Sequence, residues 1–300
     1  MLLLLLTTTA ACFTGVESTP TIGNRDIKKH VSVTAEQKYF DDVFPEPISQ
    51  WTSGKKFLVT DSRIDMIFQP GTIPANLHMG DILTFDSLTE VTSPTGSAVD
   101  ITFSTPSNPS LQYRVNAPLH EVTEREEVEI PFTVELDIAD KVRDRLIDKT
   151  FYIVTPRWYD SAGNPVTRKK FVPVVVSAVE PGNFDFPVKV SFSPVPTEAN
   201  RIYSVYMSVG NGTRSTRNFD TLFSLTDPHE RYQSITDDTW QAIIEGRIMP
   251  GMTRDEARLS LGSPKEVDRG HDYSSVYEKW TYDGGVYLIF RDNILESYRR

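Results

Sequence analysis

The chain has 300 residues, which at about 150 residues per domain corresponds to roughly two domains. Hydrophobic residues make up 39%, aromatic residues 11% and charged residues 24%, values that exclude a chain disordered throughout. A formal net charge of -10 gives no basic surface for a phosphate backbone, so a nucleic-acid partner is not expected.

The first eleven residues are uncharged and consist of Met, Leu, Thr and Ala. This run is shorter than the roughly 20 apolar residues that span a bilayer, and its length favours a signal peptide over residues 1–11. The next residue, Cys12, is the single cysteine of the chain. Thr9-Ala10-Ala11-Cys12 resembles the lipobox of bacterial lipoproteins, in which the cysteine is lipidated. We therefore predict that Cys12 carries the lipid anchor, the alternative being an incidental cysteine.

Residues 12–48 are predicted to form a flexible tether. They are rich in Thr, Ser, Pro and charged residues and show little hydrophobic periodicity, which is typical of a linker. One short helix is compatible with residues 31–44, for which Thr34 is a suitable N-cap. The expected role of the tether is to hold the folded part of the chain away from a membrane surface.

Short apolar or alternating runs separated by Gly, Pro, Asn and Asp predict antiparallel sheet from residue 54 to residue 210. The clearest alternation runs through Val128, Ile130, Phe132, Val134 and Leu136 and predicts a half-buried strand. We predict two small β modules over 49–136 and 137–225, each a barrel or a sandwich of SH3-like or immunoglobulin-like size.

The two β modules also show a weak internal repeat. Chance similarity between two β-rich stretches is the alternative interpretation. The matching segments are residues 55–60 with 149–155, 81–91 with 169–179, 101–104 with 190–193, and 112–115 with 206–209.

Two groups of residues in the β modules invite a functional interpretation. Glu121–Glu129 is acidic, and we interpret it as a linker and an exposed strand face rather than a metal site. Aromatic residues of the second module have two interpretations, a platform for peptide or glycan and the filling of a small core. They are Tyr152, Trp158, Tyr159, Phe171, Phe184, Phe186, Tyr203 and Tyr206.

After residue 228 the pattern changes from strands to helices. Thr236 is a suitable N-cap for a first helix, and Thr253 begins a capping box with Glu256 for a second. Three strands are predicted over 277–282, 286–290 and 294–298, joined by tight turns. Residues 234–300 would then form a two-layer ααβββ domain, and the fold class of the chain would be α+β. The predicted core of this domain is Trp240, Ile244, Leu261, Trp280, Tyr282, Leu288 and Phe290.

Four short motifs follow one another in this C-terminal domain. They are G-x-I-x-x-G-M-T over 246–253, A-x-x-x-L-G-x-P over 257–264, W-x-Y over 280–282, and an aromatic strand that ends at Phe290. As a set they resemble the SmpA/OmlA domain, also called BamE-like. The resemblance implies a binding module whose motif residues are mainly structural. These residues are Gly246, Gly251, Met252, Thr253, Gly262, Pro264, Trp280, Tyr282 and Phe290.

The same resemblance implies an outer-membrane lipoprotein that acts by protein contact. The sequence contains no H-E-x-x-H, G-x-S-x-G, P-loop or dinucleotide-binding motif, and we predict that the protein is not an enzyme and needs no cofactor or metal. We expect a lipoprotein of the outer membrane, facing the periplasm or the surface, that binds envelope proteins such as outer-membrane assembly components. The alternative is a lipoprotein that binds peptidoglycan or another glycan through tandem SH3-like β modules.

Overall fold

Three antiparallel β-sheets, of five, seven and four strands, form the framework of the protein. The computed structural model describes residues 33–70, 77–94, 96–196, 201–210, 216–271 and 276–299. Residues 35–300 belong to one compact unit. Within the described ranges, no helix combines the length and the apolar character that a membrane span requires.

The first sheet is built by five strands, β1 (Lys56–Val59), β2 (Ile82–Ser93), β3 (Gly96–Thr105), β4 (Asn108–Val115) and β5 (Thr133–Glu135). Their spatial order is β4-β3-β2-β1-β5, and helix α1 (Leu119–Glu124) connects β4 to β5. Alternate residues such as Leu83 and Phe85 are buried, because every second side chain of a strand points to the same face. A β-bridge between Phe68 and Tyr113 joins the segment after β1 to β4 and curls the sheet toward a barrel.

The second sheet is built by seven strands, β6 (Thr150–Ile153), β7 (Arg157–Tyr159), β8 (Pro165–Thr167), β9 (Val172–Pro181), β10 (Val188–Pro194), β11 (Tyr203–Met207) and β12 (Phe223–Ser224). Their order is β12-β6-β9-β10-β11-β7-β8. Helix α2 (Leu136–Leu146) precedes β6, and helix α3 (Phe219–Leu222) precedes β12. Ile138, Val142 and Leu146 of α2 lie one helical turn apart and are buried against this sheet.

The internal repeat predicted from the sequence is confirmed by the order of the strands. The series β4-β3-β2-β1-β5 of the first sheet corresponds to β11-β10-β9-β6-β12 of the second, and in both a short helix precedes the last strand. The pairing shifts register in β2 with β3 and again in β9 with β10, the two equivalent hairpins. The hairpin β7–β8 is an addition to the second repeat. We call residues 48–135 and 150–224 the first and second repeat.

The C-terminal unit contains helices α4 (Asp237–Ile244) and α5 (Arg254–Leu261) and the strands β13 (Glu266–His271), β14 (Val276–Thr281), β15 (Tyr287–Arg291) and β16 (Ile294–Arg299). Both predicted caps are present, at Thr236 and in the capping box of Thr253 with Glu256. The sheet has four strands rather than three. Strand β13 was missed because its sequence EVDRGH has no apolar alternation and its side chains are largely exposed.

The predicted α+β fold class is wrong, because the protein has a mostly β fold with three antiparallel sheets and a few small helices. Two β modules followed by a two-layer ααβββ domain were predicted because the two short helices were counted as a layer equal to the sheet. In the C-terminal unit the two helices have eight residues each, while four strands form the sheet beneath them. The three sheets lie within 49–136, 137–225 and 234–300, and these ranges pack into one compact unit.

Residues 35–48 differ from the flexible tether expected over 12–48. Phe40 and Val43 are buried in the core of the second repeat, and Tyr39 stacks on Phe219 with ring centroids 4.4 Å apart. The carboxylate of Glu36 is buried and accepts a hydrogen bond of 2.7 Å from Arg231. The apolar residues of this segment lack a regular period, so their burial was not evident from the sequence. Residues 1–32 of the predicted signal peptide and tether lie outside the described residues.

The C-terminal unit is joined to the second repeat by residues 169–172. Phe171 stacks on Trp240 at 5.4 Å, and the backbone amide of Lys170 donates a hydrogen bond to the carbonyl of Ile244. The buried ammonium of Lys170 donates to the carbonyls of Leu259 and Ser260 at the end of α5. These carbonyls have no intrahelical partner, so the lysine satisfies them.

Candidate interaction groove

The residues singled out in the C-terminal motifs build the interior and the turns of the C-terminal unit. Trp280, Phe290 and Met252 are buried, and the rings of Trp280 and Phe290 lie 4.6 Å apart. Thr253 caps α5, and the hydroxyl of half-buried Tyr282 donates a hydrogen bond to the carbonyl of Gly262. The remaining motif residues lie in turns between these elements, with Gly246, Gly251 and Gly262 at positive φ and Pro264 just after α5.

A buried carboxylate organises the strand that carries Trp280. Glu278 accepts hydrogen bonds from Arg254 (2.6 Å), Arg269 (2.9 Å) and the indole nitrogen of Trp280 (2.9 Å). Burial alone would raise the pKa of Glu278, but the bonds from Trp280 and Arg269 and the charge of Arg254 outweigh it and lower the pKa. This arrangement fixes Trp280 in the core and therefore has a structural role.

The other candidates from the sequence are not assembled into one site. Cys12 lies outside the described residues. Of the aromatic set in the second repeat, Trp158 and Tyr203 are buried, and Phe171 packs on Trp240 of the C-terminal unit. Tyr159 and Tyr206 form an edge-to-face pair at 5.1 Å, and Phe184 is exposed. The remaining rings of this set are those of half-buried Tyr152 and Phe186.

A groove between the two repeats brings together residues that the sequence did not group. It encloses about 440 Å³ and is bounded by three segments, residues 127–138, residues 184–187 between β9 and β10, and residues 208–210 after β11. Phe44 and Pro45 from the N-terminal segment complete the lining. We call this feature the inter-repeat groove.

The floor of the inter-repeat groove is apolar. The floor is supplied by β1, by β5 with the segment before it, and by α2, and its buried side chains are Phe57, Val128, Ile130, Val134 and Ile138. The strand predicted over 128–136 is shorter in the structure, since only Thr133–Glu135 pairs with β1. Phe132 has a φ of 64°, and this turn leaves residues 127–130 as an irregular wall of the groove rather than a ladder.

Two phenylalanine side chains line this groove although they are largely exposed to solvent. Phe44 is 54% exposed and Phe184 is 42% exposed. The ring of Phe184 lies 6.2 Å from the ring of Phe132, which in turn lies 4.7 Å from the guanidinium of Arg63. Large apolar side chains grouped in an exposed concave surface mark interaction sites more often than scattered ones do.

The rim of the groove carries negative charge. Glu127, Glu129 and Asp185 are exposed, and none of them forms an ion pair with another residue in the described part of the chain. Among the described residues that line the groove there is no lysine or arginine. The groove therefore presents apolar surface under a negative potential, which favours a cationic ligand.

A buried ion cluster holds one wall of the groove in place. The ammonium of Lys55 is almost fully buried and pairs with Glu135 at 2.9 Å, with Glu46 at 3.2 Å and with Asp137. Burial alone would lower the pKa of Lys55, but the hydrogen bonds that its ammonium donates to Asp137 and Glu135 outweigh burial and raise the pKa. Burial is also the main cause that raises the pKa of Glu135. Because Lys55 directly precedes β1, the cluster ties β5 and the start of α2 to the start of β1.

No family model, curated protein or solved structure matches this chain. The resemblance of the C-terminal motifs to the SmpA/OmlA domain stays a prediction.

Proposed function

We propose that this protein is a non-catalytic interaction protein of the bacterial cell envelope that binds a cationic, apolar segment of a partner protein in the inter-repeat groove. The observation that supports the proposal is the exposure of Phe44 and Phe184 in one groove whose rim carries unpaired carboxylates. A segment with alternating basic and apolar side chains would satisfy both features.

The two parts of this surface contribute differently to binding. Burying a phenylalanine side chain contributes about 1.5 to 3 kcal/mol when it is fully removed from water, so the two exposed rings supply affinity. The carboxylates of Glu127, Glu129 and Asp185 are exposed, and their interactions are screened over about 8 Å at physiological salt. They therefore set specificity and the association rate more than affinity.

The proposed place of action depends on the N-terminal sequence. Because Thr9-Ala10-Ala11-Cys12 resembles a lipobox, we propose that Cys12 is lipidated and holds the protein at the outer membrane, where its partners are envelope proteins such as outer-membrane assembly components. Radiolabelled palmitate should label the wild type and not Cys12→Ala. Equal labelling of the two proteins would contradict lipidation of Cys12.

Groove binding is tested by titration with synthetic peptides. A short peptide of alternating Lys and Leu should bind the full chain saturably in isothermal calorimetry, and affinity should fall as salt is raised. A Glu-Leu peptide should not bind, because its charge repels the rim. A Lys-Ser peptide should bind at least about tenfold more weakly, because it buries no apolar side chains.

Matched variants locate the binding surface. Phe184→Ser should weaken binding about tenfold, whereas Tyr298→Ser should not, although both side chains are 42% exposed. Glu127→Lys should weaken binding, whereas Glu126→Lys, the adjacent exposed carboxylate outside the groove, should have a smaller effect. Equal effects within each pair would contradict a groove-centred site.

A further inference from the structure

A second cavity lies where the second repeat meets the C-terminal unit. It encloses about 520 Å³. Its lining comes from β7, from the end of β8 and the loop between β8 and β9, from the start of β9, from the residues after β10 and from the residue after α4, and includes Trp158, Arg168, Lys169, Val172, Val195 and Glu245. A volume of this size is in the range of small-molecule sites. We call it the Arg168 cavity.

Most of the wall of the Arg168 cavity is apolar. The ring of Trp158 is 2% exposed and packs on Phe192 and Tyr203, so it offers little surface to a ligand, and its indole nitrogen donates a hydrogen bond to the carbonyl of Thr155 at 2.8 Å. Val172 is half-buried, Val195 is 41% exposed and Pro196 is exposed, so these three side chains supply the accessible apolar surface. A ligand in this cavity would need an apolar body.

Arg168 is held in place without an acidic partner. Its backbone amide donates to the carbonyl of Pro156 at 2.8 Å, and its guanidinium lies 4.8 Å from the centre of the ring of Tyr203. The hydroxyl of Tyr203 is buried and has no hydrogen-bond partner in the described part of the chain. No carboxylate of the described residues forms an ion pair with the Arg168 guanidinium, so it is the available cation of the cavity.

The second cation of the cavity is already neutralised. Lys169 pairs with Glu245 at 3.4 Å, and Glu245 also accepts a bond of 2.7 Å from Arg247. Among the described residues that line the cavity, Arg168 is therefore the cation without an ion-pair partner, in a chain whose formal net charge is -10. A single guanidinium matches the planar, singly charged carboxylate group, to which it can donate two parallel hydrogen bonds.

We propose that the Arg168 cavity binds an organic carboxylate with an apolar body, with the carboxylate on Arg168 and the body against Val172, Val195 and Pro196. The carboxylate belongs either to an acyl chain or to the C-terminus of a peptide. This site is separate from the inter-repeat groove, and the proposal does not depend on the function of the groove.

The proposal is tested on the full chain with two carboxylates and their neutral analogues. Decanoate represents an acyl chain, and N-acetyl-leucyl-leucine represents a peptide C-terminus. Each is compared in calorimetry with decanol or with the amidated dipeptide. We expect one of the two carboxylates to bind saturably and its neutral analogue to bind at least about tenfold more weakly. The carboxylate that binds identifies the source of the ligand, and failure of both would overturn the proposal.

Variants connect this binding to Arg168. Arg168→Met should weaken binding of the preferred carboxylate at least about tenfold, whereas Arg168→Lys should retain part of it. Arg157→Met is the matched control, because Arg157 lies on the neighbouring strand β7 but does not line the cavity. Val195→Asp places a negative charge at an exposed wall position and should also weaken binding. Unchanged affinity in correctly folded Arg168→Met and Val195→Asp would overturn the proposal.

Discussion

The C-terminal unit and the inter-repeat groove differ in what their side chains are used for. In the C-terminal unit, the residues of the four sequence motifs are buried, as Trp280 and Phe290 are, or shape turns. In the groove, Phe44 and Phe184 are exposed, and no motif marks them. The difference shows that side chains which stand out in the sequence can serve the folding of a unit, while exposed apolar surface lies elsewhere in the protein.

Carboxylate side chains also have different roles in the C-terminal unit and in the groove. Glu278 is buried, and three donors from two arginines and Trp280 satisfy its carboxylate. Glu127, Glu129 and Asp185 at the groove are exposed and have no ion-pair partner in the described chain. Substitutions in the C-terminal unit should therefore lower stability, while substitutions at the groove should change binding.

The largest expected effect is that of Trp280→Ala. The indole ring is fully buried against Phe290 and the guanidinium of Arg258, so its removal should lower the free energy of unfolding by about 3 to 5 kcal/mol. Urea unfolding followed by circular dichroism measures this change. Tyr277→Ala, on the same strand but exposed, is the control. A loss no greater than that of the control would contradict the assignment of Trp280 to the core.

The buried side chain of Lys170, at the contact between the second repeat and the C-terminal unit, should make the free energy of unfolding depend on pH. Burial lowers the pKa of Lys170 to about 8 from 10.5. Between these values the unfolded chain binds more protons than the folded protein, so stability should rise with pH, by up to about 3 kcal/mol. The free energy of unfolding is measured for the wild type and for Lys170→Met across this pH range, and the difference between the two isolates the contribution of Lys170. A difference that does not change with pH would contradict this prediction.

Glu278→Gln should lower the free energy of unfolding by about 2 kcal/mol at neutral pH, because hydrogen bonds to a charged group are lost or weakened. The pKa of Glu278 lies below its ordinary value of 4.5 in the folded protein. Its contribution is therefore present above that value and is lost as the pH falls through the folded pKa. The difference in free energy of unfolding between the wild type and Glu278→Gln should therefore disappear as the pH is lowered. A difference that stays constant would show that the charge of Glu278 is not involved.

The smallest expected effect on stability is at the groove. Phe44→Ser and Phe184→Ser remove exposed rings, so each should change the free energy of unfolding by no more than about 0.5 kcal/mol. Both should nevertheless weaken binding of the Lys-Leu peptide. If either variant unfolds at markedly lower urea concentration than the wild type, the ring has a structural role and the comparison between the two regions fails at that position.

Local signals in the sequence predicted several elements correctly. The caps at Thr236 and Thr253 are determined by neighbouring residues, and the strand pairs of the two repeats share spacing that can be read along the chain. The predicted fold class was wrong because two short helices were counted as a full layer of the fold. Strand β13 was missed because its pairing with β14, rather than its own composition, holds it in the sheet.

The groove could not be predicted because its parts are distant in sequence. Phe44, Glu127 and Phe184 come together only when the two repeats pack, and none belongs to a periodic pattern. Glu127 and Glu129 were interpreted as part of an exposed linker. Their exposure agrees with that interpretation, but only the structure places them beside the apolar floor of a groove.

A partner should bind in the groove between the repeats and not on the C-terminal unit. Methyl groups report on both regions, with Val128, Ile130 and Val209 at the groove and Ile289 and Ile294 on the C-terminal sheet. Methyl NMR of the full chain titrated with the Lys-Leu peptide compares them in one experiment. We predict saturable shifts of the groove methyl groups with little change in the C-terminal sheet. Shifts confined to the C-terminal sheet, with the groove unchanged, would contradict the claim.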